Sequence, residues 1–133
     1  MRSVLRALTC LILIVSSYSH ANTETPAEAS KLYIELSPSF VTNYQAQRMG
    51  YLKADVTLMV NDQKTMDAIT EHMPSIRNNL VMLFSRQDEN VLSSTEGKTH
   101  LREEALREVL SALESEGAPA AVEDVLFTSF LID

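Results

Sequence analysis

The sequence predicts an α+β fold in which an antiparallel sheet carries two or three helical segments packed on one face. Three observations lead there. Residues 50–60 alternate, with Leu52, Ala54, Val56, Leu58 and Val60 on one side and Lys53, Asp55 and Thr57 on the other, the pattern of a strand with one buried face. The period then changes: Met66, Ile69, Met73, Ile76, Leu80 and Leu83 step by three and four, which draws an apolar stripe along a helix. The chain closes on residues 122–132, rich in β-branched and aromatic side chains and therefore a further strand.

At 133 residues with 45% hydrophobic side chains, three Gly and four Pro, the chain has material for one core and excludes a large multidomain enzyme, a collagen or a disordered polymer. Of its 11 cations two, Arg2 and Arg6, precede residue 22, which leaves nine against 18 carboxylates over residues 22–133 and a net charge of −9. That balance excludes a general nucleic-acid binder.

The first 21 residues combine Arg2 and Arg6 with an apolar run from Ala7 to Val15 and a polar close ending in Ser19-His20-Ala21. This is a signal peptide or an N-terminal membrane anchor, and in either case the rest of the chain is expected outside the cytoplasm. Cys10 lies inside the apolar run without the small preceding residue or the terminal position that lipid attachment requires. If it leaves with a signal, no cysteine remains to form or mispair a disulfide. Residues 22–30, small, polar and acidic with one Pro, suit a flexible linker, so the domain is expected over 31–133.

Within the domain, Leu32, Ile34 and Leu36 alternate with Tyr33 and Glu35 as a first strand, Ser37-Pro38 interrupts, and Phe40 to Tyr44 forms a second. After the long strand over 50–60, Asn61 or Asp62 caps the helical run. Pro74 removes a backbone donor inside the stripe and predicts a kink or a split near His72. Ser93 and Glu96 have capping-box spacing for the next helix. Leu101, Ala105, Val109, Ala112 and Leu113 face inward along it, and Gly117-Ala118-Pro119 ends it. In the closing strand both alternating faces are largely apolar, Val125 and Phe127 on one and Leu126 and Phe130 on the other. That predicts a central strand or one covered on both sides. Met59, Met66, Met73 and Met82 read as core packing.

Chemistry-bearing patterns are sparse. His72 and His100 are far apart in sequence, with no second His or Cys at ligand spacing, so no metal or cofactor is expected. The acidic pairs Asp88-Glu89, Glu103-Glu104 and Glu123-Asp124 diverge from one another on any regular element and read as solvated faces. Gly97-Lys98-Thr99 lacks the earlier glycine and the preceding strand of a phosphate loop. Arg77, in Ile76-Arg77-Asn78-Asn79-Leu80, either pairs with a carboxylate of its own domain or presents a charge to a neighbour.

The order of several short pieces carries more. Tyr33-Ile34-Glu35-Leu36 with Pro38 and Phe40-Val41-Thr42-Asn43, then Tyr51-Leu52-Lys53, His72-Met73-Pro74-Ser75-Ile76-Arg77-Asn78, Glu96-Gly97-Lys98 with Leu101-Arg102, and Asp124-Val125-Leu126-Phe127-Thr128-Ser129-Phe130 together resemble the FliL family of flagellar basal-body proteins. The likeness runs from Tyr33 to the C-terminus. It implies a periplasmic domain similar in fold to the stomatin-type (SPFH) domain, held at the inner membrane beside the flagellar motor and bringing no catalytic residues. It also implies self-assembly into a ring, partnership with stator proteins of the MotA/MotB type or their sodium-driven equivalents, and support of rotation, torque, swimming, swarming and chemotaxis. The chain departs from the family pattern at its start, where a longer transmembrane helix usually follows a short cytoplasmic tail. With a charge of −9 over residues 22–133, side-by-side assembly requires cations to meet carboxylates across an interface, and Lys53, Arg77, Arg86, Arg102 and Arg107 are the candidates. The competing reading is a periplasmic ligand-binding domain or small enzyme sharing only the fold, which would need a pocket lined by His72, Arg77 and a carboxylate.

Overall fold

The computed structural model describes residues 30–133. The expectations for residues 1–21 and 22–29 lie outside the described residues. The elements follow in the order β1 (Leu32–Glu35), β2 (Phe40–Tyr44), β3 (Gly50–Val60), α1 (Gln63–Glu71), α2 (Met73–Ser85), α3 (Glu89–Ser93), α4 (Thr95–Ser115) and β4 (Val122–Ile132).

All strand pairings are antiparallel, and β3 is the axis of the sheet. β2 runs along its first half, with Phe40 opposite Ala54, and β1 along its second, with Leu32 opposite Val60. The two short strands therefore lie end to end on one edge of β3, and β4 occupies the other. The alternation of β3 puts Leu52, Ala54, Val56, Leu58 and Val60 wholly out of solvent on the helical side.

Asp62 opens α1 with extended backbone, and its carboxylate accepts the main-chain N–H of Thr65 at 2.7 Å. The apolar stripe does split at His72, where α1 ends and α2 begins with Pro74 in its first turn, a place where the missing N–H costs nothing. The sheet thus carries four helical segments instead of two or three, because the split makes two from one and α3 adds a short helix between Asp88 and Ser94. Ser94 instead of Ser93 caps α4, its hydroxyl accepting the Gly97 N–H at 3.0 Å, while Ser93 is the last residue of α3. Gly117, at φ 65°, closes α4: its N–H donates to the Glu114 carbonyl and that of Ala118 to the Leu113 carbonyl, both at 3.0 Å.

β4 is an edge strand, neither central nor covered on both sides. The reason lies in two bulges. Asp124 faces Met59 but Val122 faces Val60, which leaves Glu123 extra, and Ser129 faces Asp55 but Phe127 faces Val56, which leaves Thr128 extra. Each extra residue reverses the alternation. Val122, Val125, Phe127, Phe130 and Ile132 consequently lie opposite core-facing residues of β3, and a strand that looks apolar on two faces has both phenylalanines on the core side, with Leu126 and Leu131 on the outer side.

The core joins this face to Ile69 of α1, Ile76, Leu80, Leu83 and Phe84 of α2, Leu92 of α3, and Leu101, Ala105, Val109 and Leu113 of α4. Burying each such aliphatic side chain contributes about 1.5–3 kcal/mol against chain entropy. Met66 and Met73 pack against this core, but Met82 is exposed on α2 and Met59 lies opposite Asp124 on the outer side of the sheet, so the methionines divide between inside and outside. Buried Thr65 accepts the Ala121 N–H at 3.1 Å, and Asn79 donates to the Glu108 carbonyl at 3.2 Å, tying α1 to the approach of β4 and α2 to α4.

Candidate functional site

The five cations proposed for an interface are dispersed, and four of them are engaged within the chain. Arg77 donates from Nη1 to the Leu36 carbonyl at 2.9 Å and lies 4.1 Å from the centroid of the Phe40 ring. Its partner is thus a main-chain oxygen and an aromatic face instead of a carboxylate. Arg86 pairs with Glu108 at 2.9 Å, joining α2 to α4. Arg102 stands 3.6 Å from Asp124, joining α4 to β4, and Arg107 stands 3.9 Å from Glu104 one turn back on α4. Lys53 is exposed on the outer face of the sheet, between Val41 of β2 and Leu131 of β4.

Several large apolar side chains meet solvent on that outer face. Tyr33 is 55% exposed, Val41 63%, Tyr51 48% and Leu131 61%, and no helix among the described residues covers them. With Lys53 among them, they form a partly apolar surface outside the core. Their alternation with core residues is visible in the sequence, but strand register alone brings Val41, Lys53 and Leu131 into one row.

A second surface follows the far edge of β4. The four phenylalanines form one array: Phe40 meets Phe84 at 5.5 Å, Phe84 meets Phe127 at 6.0 Å, and Phe127 meets Phe130 at 5.3 Å between centroids. The array starts under Arg77 in the core and ends under Lys98, whose Nζ is 5.3 Å from the Phe130 centroid. Beside Phe130 an open groove of about 360 Å³ runs between β4 and the first turns of α4, with Lys98 and Arg102 on its helical wall. Sequence reasoning missed this groove because Phe127 and Phe130 share a face only across the Thr128 bulge.

The remaining depressions are polar. A shallow one near 950 Å³ lies beside the β2–β3 turn and is bordered by Arg48, Asp88, Glu89 and Asp133. Another sets His72 beside Lys64, Asp67, Glu71 and Glu116. Arg77 is directed to Leu36 and Phe40 instead, so His72 and Arg77 do not combine into the pocket that ligand chemistry would need. His100 lies 3.8 Å from Glu103 on the surface of α4. Two carboxylate contacts carry a resolved titration effect. The Thr65 N–H holds Asp62 below its ordinary value, and hydrogen bonding to Glu123 raises Lys31 above its own. Among the described residues no helix is long and apolar enough to cross a membrane, and no group of three His, Cys, Asp or Glu side chains is placed to hold a metal ion.

Comparison with known proteins gives a consistent result. The family model described as flagellar basal body-associated protein FliL matches residues 33–132, a span that begins in β1 and ends with β4. "Flagellar protein FliL" of Escherichia coli is 33% identical over 124 residues, covering 87% of this chain and 79% of that protein. The protein of the same name from Shigella flexneri matches to the same extent. That of Aquifex aeolicus is 30% identical over 108 residues, covering 80% of this chain and 64% of the relative.

Proposed function

The chain belongs to the FliL family, and on that basis we propose that this flagellar basal-body protein acts as a non-enzymatic scaffold beside the stator and sustains the torque used for swimming, swarming and chemotaxis. The family match over the whole of the folded region carries the reading. Under it, the domain sits on the periplasmic side of the inner membrane, tethered through residues 1–21 if they are retained. Copies of the domain assemble around stator units of the MotA/MotB type or their sodium-driven equivalents. The layout of one antiparallel sheet with helices on a single face supports a stomatin-type (SPFH) fold. The outer sheet face with Tyr33, Val41, Tyr51 and Leu131 supports a role in contact.

The test is a deletion in the native organism complemented with a tagged copy, scored for swimming speed and position of the tag together. Slowed swimming restored by the tagged copy, with foci at flagellar bases, supports the scaffold. Unchanged swimming with a diffuse signal contradicts it.

A further inference from the structure

The far edge of β4 has the features of a receptor for one more strand. β4 pairs with β3 along one edge and has no partner strand on the other among the described residues. Residues 125–132, Val-Leu-Phe-Thr-Ser-Phe-Leu-Ile, contain no charge and no Pro, two of the devices that ordinarily keep an edge from pairing. Thr128, the bulge residue, is the one interruption of the ladder along this stretch. The groove of about 360 Å³ lies alongside, floored by the Phe127 and Phe130 rings.

Charge selects the occupant. Two cations, Lys98 and Arg102, and no carboxylate line this groove, although carboxylates outnumber cations 18 to 11 in the whole chain. Lys98 has no carboxylate partner among the described ion pairs and is held over Phe130, while the Asp124 contact of Arg102, at 3.6 Å, is long and open to exchange. Pairing β4 with β4 of a second copy would bring the two Lys98–Arg102 clusters toward one another, which like-charge repulsion opposes.

We infer that this edge binds an extended acidic and apolar segment of another protein, which adds as a strand to β4, seats an apolar side chain against Phe130 and places a carboxylate on Lys98 and Arg102. Main-chain hydrogen bonds then supply affinity, while the aromatic floor and the two cations supply specificity. The inference does not rest on the flagellar reading, and either stands if the other fails.

The full chain is titrated with a fluorescein-labelled octapeptide Val-Thr-Glu-Thr-Val-Thr-Glu-Thr, whose Val and Glu share one face of a strand, and anisotropy is followed. Two control peptides carry Lys in place of Glu, or Pro in place of the second Val and the Thr that follows it. Expected is saturable binding by the Glu–Val peptide and at least about tenfold weaker binding by each control, since one loses the charge pairs and the other the strand hydrogen bonds. The double variant Lys98→Glu with Arg102→Glu loses affinity by a similar factor, and Lys98→Arg with Arg102→Lys retains it. Equal binding of the Pro peptide overturns strand addition, and equal binding of the Lys peptide overturns the charge assignment. Absence of binding up to about 1 mM peptide overturns both. Should the charge-reversed variant change the sedimentation of the chain alone, the groove holds a second copy and the inference is wrong. If that variant does not fold, the three peptides on the unaltered chain still decide.

Discussion

Arg77 lies over Phe40, its guanidinium carbon 4.1 Å from the ring centroid, while Nη1 donates to the carbonyl of Leu36. A charge that by sequence could serve a neighbour or its own domain is thereby directed inward. It fastens α2 to the connection between β1 and β2 and closes one end of the phenylalanine array.

Replacing Arg77 with Ala should therefore destabilise the isolated domain by about 2 kcal/mol, the sum of a charged hydrogen bond and a partly desolvated cation–ring contact. Arg77→Lys should fall between the two, because an ammonium keeps charge but lacks the planar stacking surface. The midpoint of urea unfolding measures both. An unchanged midpoint would show that these contacts add nothing to the stability of the fold.

Gly97 makes a different prediction. A Cβ there would overlap the Val91 carbonyl oxygen and stand 2.7 Å from the Val91 Cα, both backbone atoms of α3. Gly97→Ala should push α3 from the start of α4 and lower stability by about 1–3 kcal/mol, even though alanine is the better helix former. Thermal unfolding followed by circular dichroism checks it, and a rise in melting temperature would refute the close packing.

Asp62 sets a pH dependence with a definite sign. Its carboxyl is held below the ordinary aspartate value by the hydrogen bond from the Thr65 N–H, so the folded state favours the ionised form. That stability is complete above the ordinary carboxylate range and is lost as pH falls through the lowered value. Asp62→Asn keeps a capping oxygen but cannot titrate, so its melting temperature should fall less steeply than that of the parent between about pH 5 and about pH 2. Parallel curves would show that the cap does not titrate.

Self-association should be weak in isolation and respond to salt. Net charge over residues 22–133 is −9, and Arg77, Arg86, Arg102 and Arg107 already have partners inside the chain, so repulsion between copies outweighs cross-pairing. Raising salt from about 50 to about 500 mM screens that repulsion and should increase the sedimentation coefficient at fixed concentration. A tight oligomer of constant size at both salts contradicts this.

How much the sequence reveals depends on the range of the interactions involved. β3 and the stripe of α1 and α2 are legible because one buried face imposes its period on consecutive residues, as Leu52 to Val60 and Met66 to Leu83 show. The break at His72 is legible because Pro74 acts locally. β4 is misleading because its two bulges are visible only against β3, and a strict count of alternation places Phe127 and Phe130 on opposite faces. Helix α3, five residues long, is too short to show a period, and it displaces the capping serine by one. The candidate cations were the least legible, since Glu108, Asp124 and the Leu36 carbonyl reach them only through tertiary packing.

Whether this chain sustains the work of the flagellar motor is decided by the torque of single motors driving beads of graded size in the deletion strain and in the strain complemented with the full chain. Expected is lower torque at high load without the chain, restored on complementation. Identical torque at every load, with and without the chain, would contradict it.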